Sequence, residues 1–427
     1  MSTSEMHSCV HLARKLGAFM LLALACDAFG GPGDGIGLGP WVLSPYLDLN
    51  FTHDSNVYKD RFDPIADSFF EPELGLRFSS SSETNCLSLR GNLFYSEREY
   101  ANEKNRNFRT YGDNLILRYG NGRRSLIELI QSFRTLDDLD RHSADIESSS
   151  LAGEMIEDSN TLDLQRDVNQ LGASISRRMS DKLELALSYR FSGVHYDNET
   201  HDRLDPKDLG VPPGLDLDGH IFQLDGALGL TDKTDAFLTL RHGLQYQETT
   251  AGAAEISTLR LGLKAQGTDK LAYSAGAGLE RYKRPVELTD TQSLSFNFNA
   301  AADWFMTEKL TFRCGGFNGT QFSSFYEKNG LEYISAWAGL GYRWKPSTTF
   351  YVRGVYRTDD YLDPVTHEGV TADRHDIRME GHARIDYIAP GGFLRLYVEY
   401  VYDEVKSNFD FVEYIDERVM LGANIRY

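Results

Sequence analysis

From Trp41 onward, apolar and polar side chains alternate with a period of two, the spacing of a half-buried β-strand and not of a helix. In the stretch 391–406, Leu394, Leu396, Val398, Tyr400 and Tyr402 face one way, and Arg395, Tyr397, Glu399 and Asp403 the other. In 373–388, Ile377, Met379, Gly381, Ala383, Ile385 and Tyr387 oppose Arg378, Glu380, His382, Arg384 and Asp386. Leu183, Leu185, Leu187, Tyr189 and Phe191 likewise oppose Glu184, Ser188 and Arg190, and Leu259, Leu261, Leu263 and Ala265 oppose Arg260, Lys264 and Gln266.

The pattern predicts strands at 41–51, 67–79, 85–97, 107–119, 124–136, 162–178, 182–194, 217–231 and 235–249. The second half adds 254–267, 270–282, 290–304, 309–323, 331–344, 348–360, 373–388, 391–406 and 413–427. That is eighteen strands, or sixteen if the less regular 124–136 and 217–231 are not counted. Every second connection is tight. Four of the tight turns share a hydroxyl–acid–Lys sequence: Ser180-Asp181-Lys182, Thr231-Asp232-Lys233, Thr268-Asp269-Lys270 and Thr307-Glu308-Lys309. The intervening connections 52–66, 137–161, 195–216 and 361–372 are longer. Short turns at one end and long loops at the other, on strands with one apolar face, predict an all-β fold: a transmembrane antiparallel up-and-down β-barrel of the outer-membrane type. A soluble sandwich or propeller would also give regular hairpins, but it has no need of an apolar face on every strand.

Composition narrows the class. The 427 residues are 12% aromatic, with a mean hydropathy of −0.41, and no stretch of about 20 apolar residues offers a helical span. The net charge of −19 argues against a nucleic-acid partner. Residues 1–30 read as a secretory signal peptide: Arg14 and Lys15 precede the apolar run Leu16 to Cys26, and Ala28-Phe29-Gly30 offers small residues for cleavage. Residues 31–40 then form a short periplasmic segment and 41–427 the barrel in a Gram-negative outer membrane. Beyond the leader only Cys86 and Cys314 remain, which is no disulfide framework.

The chain ends Gly422-Ala423-Asn424-Ile425-Arg426-Tyr427. A terminal aromatic closing an alternating strand resembles the signal read by barrel-assembly machinery, which marks Gly422, Ile425 and Tyr427 as its residues. Trp304, Phe305, Tyr342, Trp344 and Tyr351 stand beside tight turns, where an interfacial aromatic girdle is expected. The first strand, Ser44-Pro45-Tyr46-Leu47-Asp48-Leu49-Asn50-Phe51, runs into Thr52-His53-Asp54-Ser55-Asn56-Val57-Tyr58. This opening resembles that of the β-barrel porin 2 family of bacterial outer-membrane barrels, in which a Pro-led strand enters an Asp-Ser-Asn-Val motif. The resemblance implies a barrel over the whole length and an association with exopolysaccharide export. It carries over no catalytic residue.

Strand parity assigns the candidate pore lining to Arg77, Arg90, Arg118, Arg190, Arg241, Arg260, Arg353, Arg378, Glu380, Arg384, Arg395 and Glu399, with Lys264, Arg313 and Arg357 on the same face. Fewer acids share it: Asp48, Glu73, Glu184, Glu380, Asp386, Glu399 and Asp403. The expectation is therefore a basic interior inside an acidic protein, favouring anions; the plainer reading is that the arginines pair with acids across strands and stiffen the wall. Loop 137–161 is the longest, and the third on its side. It holds Asp137, Asp138, Asp140, Asp145, Glu147, Glu154, Glu157 and Asp158 against one arginine, Arg141, and is the expected constriction. Such carboxylates suit a solvated rim or divalent cations, but no metal-ligand spacing can be named. No CxxC, HExxH, GxSxG or P-loop is present.

The function expected is a porin-like channel for passive passage of polar or anionic solutes, with export of an anionic exopolysaccharide as its specific version and no cofactor. The alternatives are a plugged structural or surface-adhesion barrel, and an outer-membrane hydrolase, for which the 11 histidines show no constellation. The expected partners are outer-membrane lipid and lipopolysaccharide, the assembly machinery and an anionic polysaccharide.

Overall fold

A computed structural model describes residues 35–80, 86–120, 124–136, 165–197, 216–247, 253–283, 292–322, 330–367 and 370–427. The signal-peptide segment, all of the acidic loop 137–161 and most of loop 195–216 lie outside the described residues. The eighteen barrel strands are β1 Trp41–Asp54, β2 Asp67–Ser80, β3 Leu87–Tyr100, β4 Phe108–Gly120, β5 Ser125–Leu136, β6 Gln165–Arg178, β7 Leu183–Asp197, β8 Leu217–Thr231 and β9 Thr234–Gln247. They continue as β10 Ala253–Thr268, β11 Leu271–Lys283, β12 Gln292–Phe305, β13 Leu310–Phe322, β14 Gly330–Lys345, β15 Thr348–Tyr361, β16 His375–Ile388, β17 Leu394–Ser407 and β18 Tyr414–Arg426. Each pairs antiparallel with its neighbours in sequence, and β18 returns to β1, from Tyr46↔Arg426 to Asp54↔Arg418, so the sheet closes. A short strand, Ile36–Leu38, folds back on Trp41–Leu43.

Twelve to sixteen residues per strand fit a membrane wall. At roughly 3.3 Å per residue and a tilt of about 40°, a 14-residue strand rises roughly 35 Å, more than the ~25 Å apolar band of an outer-membrane barrel. The outward faces are apolar: Leu185, Leu187, Leu224, Leu259, Leu261, Leu396, Val398 and Leu421 are all exposed. This is a transmembrane barrel of the outer-membrane type. Trp304, Tyr342 and Trp344 project outward beside the tight turns, with Phe350 against both Tyr342 and Trp344 at 6.4 and 6.3 Å. Tyr351 and Phe305 depart from the expected girdle. The register sets Tyr351 opposite Gly341 and Phe305 opposite Thr311, on the inward face, and the ring position on β15 falls to Phe350.

The recurrent tight turn has a local cause. Thr231, Thr268 and Thr307 Oγ1 accept the N–H of Lys233, Lys270 and Lys309 at 3.2, 3.1 and 3.1 Å, and Ser180 Oγ accepts that of Leu183 at 3.1 Å. A hydroxyl two or three residues ahead thus satisfies a turn donor that no strand can reach.

The Asp54-Ser55-Asn56-Val57 motif extends the closing seam beyond its last ladder pair. Ser55 N–H donates to Glu417 O at 3.0 Å, and Glu417 N–H to Ser55 Oγ at 2.8 Å. Asn56 Nδ2 donates to Ile415 O at 3.0 Å and to Asp60 O at 2.8 Å, while Asp54 Oδ1 accepts Asn56 N–H at 2.8 Å. Val57 then packs with Phe69 and Tyr100. A second cluster, Leu331, Tyr333, Tyr361, Val365, Phe409 and Val412, joins inward faces of β14 and β15 to the outer connections 362–374 and 408–413. Among the described residues these segments lie over the inward faces of β14 and β15 at the long-loop end; the expected constriction, loop 137–161, lies outside the described residues.

Candidate functional site: an arginine recess in the inner wall

Pair registers place every arginine assigned above, from Arg77 to Arg395, on the inward face, together with Glu380 and Glu399. The same registers turn inward a set of carboxylates absent from the sequence-based assignment: Asp54, Asp67, Glu71, Glu128, Asp225, Glu280, Asp303, Asp359, Asp376 and Asp416. The large excess of base over acid expected from the sequence is therefore mostly neutralised. What remains is a segregation around the barrel.

On β16 and β17 the arginines are tied down. Arg378 bridges Glu380 at 2.8 Å and Asp403 at 3.1 Å, and Tyr414 Oη also donates to Asp403 at 2.9 Å. Arg384 bridges Asp386 at 3.1 Å and Glu399 at 2.9 Å, and its guanidinium lies 3.9 Å from the Tyr397 ring centroid. Arg395 reaches Asp386 at 2.8 Å, and His382 stands 3.5 Å from Glu399. Arg374–Asp376 and Arg418–Asp416 continue the pattern. These pairs are mostly buried, so each carboxylate depends on its cation for solvation. Elsewhere Arg118 pairs with Glu128, Arg77 lies 4.6 Å from the Tyr46 ring centroid, and Arg353 lies 5.7 Å from that of Trp337. Arg90 is exposed near the short-turn end of β3.

Room for these rings comes from glycine. Tyr397 lies over Gly422, where a Cβ would sit 2.1 Å from the Tyr397 ring, and Tyr46 lies over Gly75 in the same way. Gly422, expected as part of an assembly signal, has a packing role.

On β7–β10 the arrangement differs. Arg190, Arg241 and Arg260 line one partly open recess with Ser192, Gln245 and Tyr333. Its floor is thin because Gly219, Gly243 and Ala254 offer little side chain. Arg260 Nε donates to Asn297 Oδ1 at 2.8 Å, a neutral partner. The nearby carboxylate, Glu280, is satisfied by uncharged donors: Thr258 Oγ1 at 3.0 Å, Asn297 Nδ2 at 3.3 Å and Thr320 N–H at 2.6 Å. Arg190 forms no hydrogen bond or ion pair among the described residues. Asp225, also near, is taken up by Gln223 and Thr239 at 2.7 Å each. The recess therefore gathers three guanidinium groups beside two acids that also accept hydrogen bonds from neutral donors.

Sequence parity finds these arginines but not their setting. Glu280 alternates visibly with Gly276, Gly278 and Tyr282, so its inward face was readable; its partners were not, because they depend on register. Among the described residues no group of three His, Cys, Asp or Glu side chains forms a metal site, and Cys86 and Cys314 are not bonded to each other.

No family model matches the chain, and no curated protein matches it. Solved structures do. OpdQ of Pseudomonas aeruginosa is 14% identical, over 91% of this chain and 100% of its own, with a TM-score of 0.49. OpdK of the same organism, solved with vanillate, is 12% identical over 90% and 99%, with a TM-score of 0.48. OccAB4 of Acinetobacter baumannii is 10% identical over 90% and 98%, with a TM-score of 0.47.

Proposed function

We propose that the barrel is a passive channel for small anionic solutes, and that Arg190, Arg241 and Arg260 form its point of selection. The observation that carries this reading is the contrast within one wall. Arg378, Arg384, Arg395 and Arg418 on β16–β18 each have a carboxylate within ion-pair distance, whereas in the recess Arg260 is held by a neutral amide and Arg190 by no hydrogen bond or ion pair among the described residues. A charge left uncompensated in a low-dielectric wall attracts a counter-ion from the pore and disfavours cations there. The residues line a passage; none is arranged as nucleophile and base.

Export of an anionic exopolysaccharide is the less favoured version, since an extended polymer would need a continuous basic track along the barrel, and on β16 and β17 Arg378, Arg384 and Arg395 are neutralised by carboxylates. A plugged barrel draws support from the Leu331–Val412 cluster at the outer mouth. Single-channel recording separates the readings. An open anion channel conducts, and small carboxylates or phosphate added on one side reduce its chloride current at millimolar concentration. A plugged barrel conducts nothing. Block by organic cations in place of anions would refute selection at the recess.

A further inference from the structure

The ladder between β12 and β13 is the shortest in the described barrel. It runs over seven residue pairs, Asn299↔Phe317 to Phe305↔Thr311, where the flanking β11–β12 and β13–β14 ladders each run over thirteen. Above Asn299, β12 keeps its partner β11 and β13 keeps β14, but the two do not pair with each other. The cause is visible on β13: Phe317 packs edge-on against Tyr333 at 5.9 Å, as part of the inward cluster at the mouth, and draws the outer half of β13 after β14.

Unpaired strand edges inside a bilayer are costly unless their backbone groups find partners. Here side chains supply them. Phe298 N–H donates to Asn318 Oδ1 at 2.6 Å, and Asn318 Nδ2 donates to Phe296 O at 2.6 Å. Asn297 Nδ2 donates to Asn318 O at 2.8 Å, and Thr320 N–H to Glu280 Oε1 at 2.6 Å. Asn297 and Glu280, on the inward faces of β12 and β11, also line the arginine recess. One wall of the recess is therefore a seam stitched by side chains and not by a ladder. Outside the seam the surface is strongly apolar: Leu294 and Phe296 on β12 are 69% and 59% exposed. Asn299 lies six residues above the short-turn end of β12, so at roughly 2.5 Å of axial rise per residue the seam begins about 15 Å up and faces the outer leaflet.

We infer that the β12–β13 seam is a lateral portal, through which an amphipathic anion can hold its head group on Arg260 while its alkyl tail passes between the strands to the outer leaflet. The head-group half rests on the anion reading of the recess; the tail half does not. Side-chain hydrogen bonds can exchange rotamers one at a time, which a continuous backbone ladder cannot.

Block of chloride current by ethylsulfonate and by octylsulfonate, both permanently ionised, tests the portal on the purified full barrel in a planar bilayer. Octylsulfonate is expected to block at least tenfold more tightly. A disulfide between Ser295→Cys and Gln321→Cys, with Cys86→Ser and Cys314→Ser, clamps the unpaired edge. When oxidised it should bring octylsulfonate to within threefold of ethylsulfonate and leave the open-channel current within twofold; reduction should restore the difference. Asn318→Ala, which removes two stitches and needs no disulfide, should tighten octylsulfonate block at least threefold without changing that of ethylsulfonate. Equal block by both sulfonates in the unclamped barrel, or a tail preference that survives the clamp, overturns the portal alone. Absence of block by either overturns the anion reading, and the portal with it.

Discussion

Removal of Arg378 tests whether the paired arginines are struts. Its guanidinium meets Glu380 and Asp403, and all three side chains are at most 12% exposed. Arg378→Ala leaves two buried carboxylates facing each other. Asp403 keeps the Tyr414 hydroxyl as a donor, and Glu380 keeps His382 at 3.8 Å. Breaking a buried ion pair by deleting one partner costs about 3–5 kcal/mol. The second carboxylate pushes toward the upper end and the neighbouring His382 toward the lower, so about 4 kcal/mol is expected. Arg190→Ala removes a half-buried cation with no partner among the described residues and should change stability by less than about 0.5 kcal/mol, as a substitution that breaks no interaction does. The assay is the urea midpoint of the folded, fast-migrating band in cold gel electrophoresis of refolded protein. Equal midpoints for the two variants, or a lower one for Arg190→Ala, would refute the division of the wall into struts and free charges.

Three further outcomes follow from the geometry. Asn56→Ala removes the side-chain bonds to Ile415 O, Asp60 O and Asp60 N–H; at about 1 kcal/mol per hydrogen bond it should lower stability by roughly 2–3 kcal/mol, and protease should cut first between 55 and 66. Gly422→Val places carbon where the Tyr397 ring lies, so roughly 1–3 kcal/mol should be lost, with recovery in the double variant Gly422→Val/Tyr397→Ala measured by the same midpoint. Deletion of Tyr427 should reduce the folded barrel recovered in outer membranes several-fold, since its N–H bonds Pro45 O at 3.1 Å across the closing seam; unchanged recovery would count against its role in assembly.

Much of the fold was legible because a barrel wall imposes one rule on every residue. Lipid on one side and water on the other force a period of two, and that alone placed β7 at 182–194 against the observed Leu183–Asp197, and β17 at 391–406 against Leu394–Ser407. The same rule sent Arg190, Arg241 and Arg260 inward. It could not say which arginines are neutralised, since Arg378 meets Asp403 and Arg384 meets Glu399 across strands whose register no alternation specifies. The acids at Asp54, Asp376 and Asp416 stand near strand ends, where the pattern fades into loop. Nor did Asn318 offer a signal: an asparagine on an outward position reads as a surface residue until the missing ladder beside it is seen.

The central claim is that the arginine charge gathered in the recess selects anions. It is tested most directly by the reversal potential in a tenfold KCl gradient at low ionic strength, for the native barrel and for Arg190→Glu/Arg241→Gln/Arg260→Gln. One unit charge at about 4 Å is worth roughly 1 kcal/mol in water, and screening at 0.1 M is appreciable only beyond about 10 Å. Losing three positive charges and gaining one negative should move anion-over-cation preference by more than tenfold, from a reversal potential of anion sign in the native channel to one near zero or of cation sign in the variant. A native channel that already prefers cations, or a variant with the native reversal potential, would contradict the account.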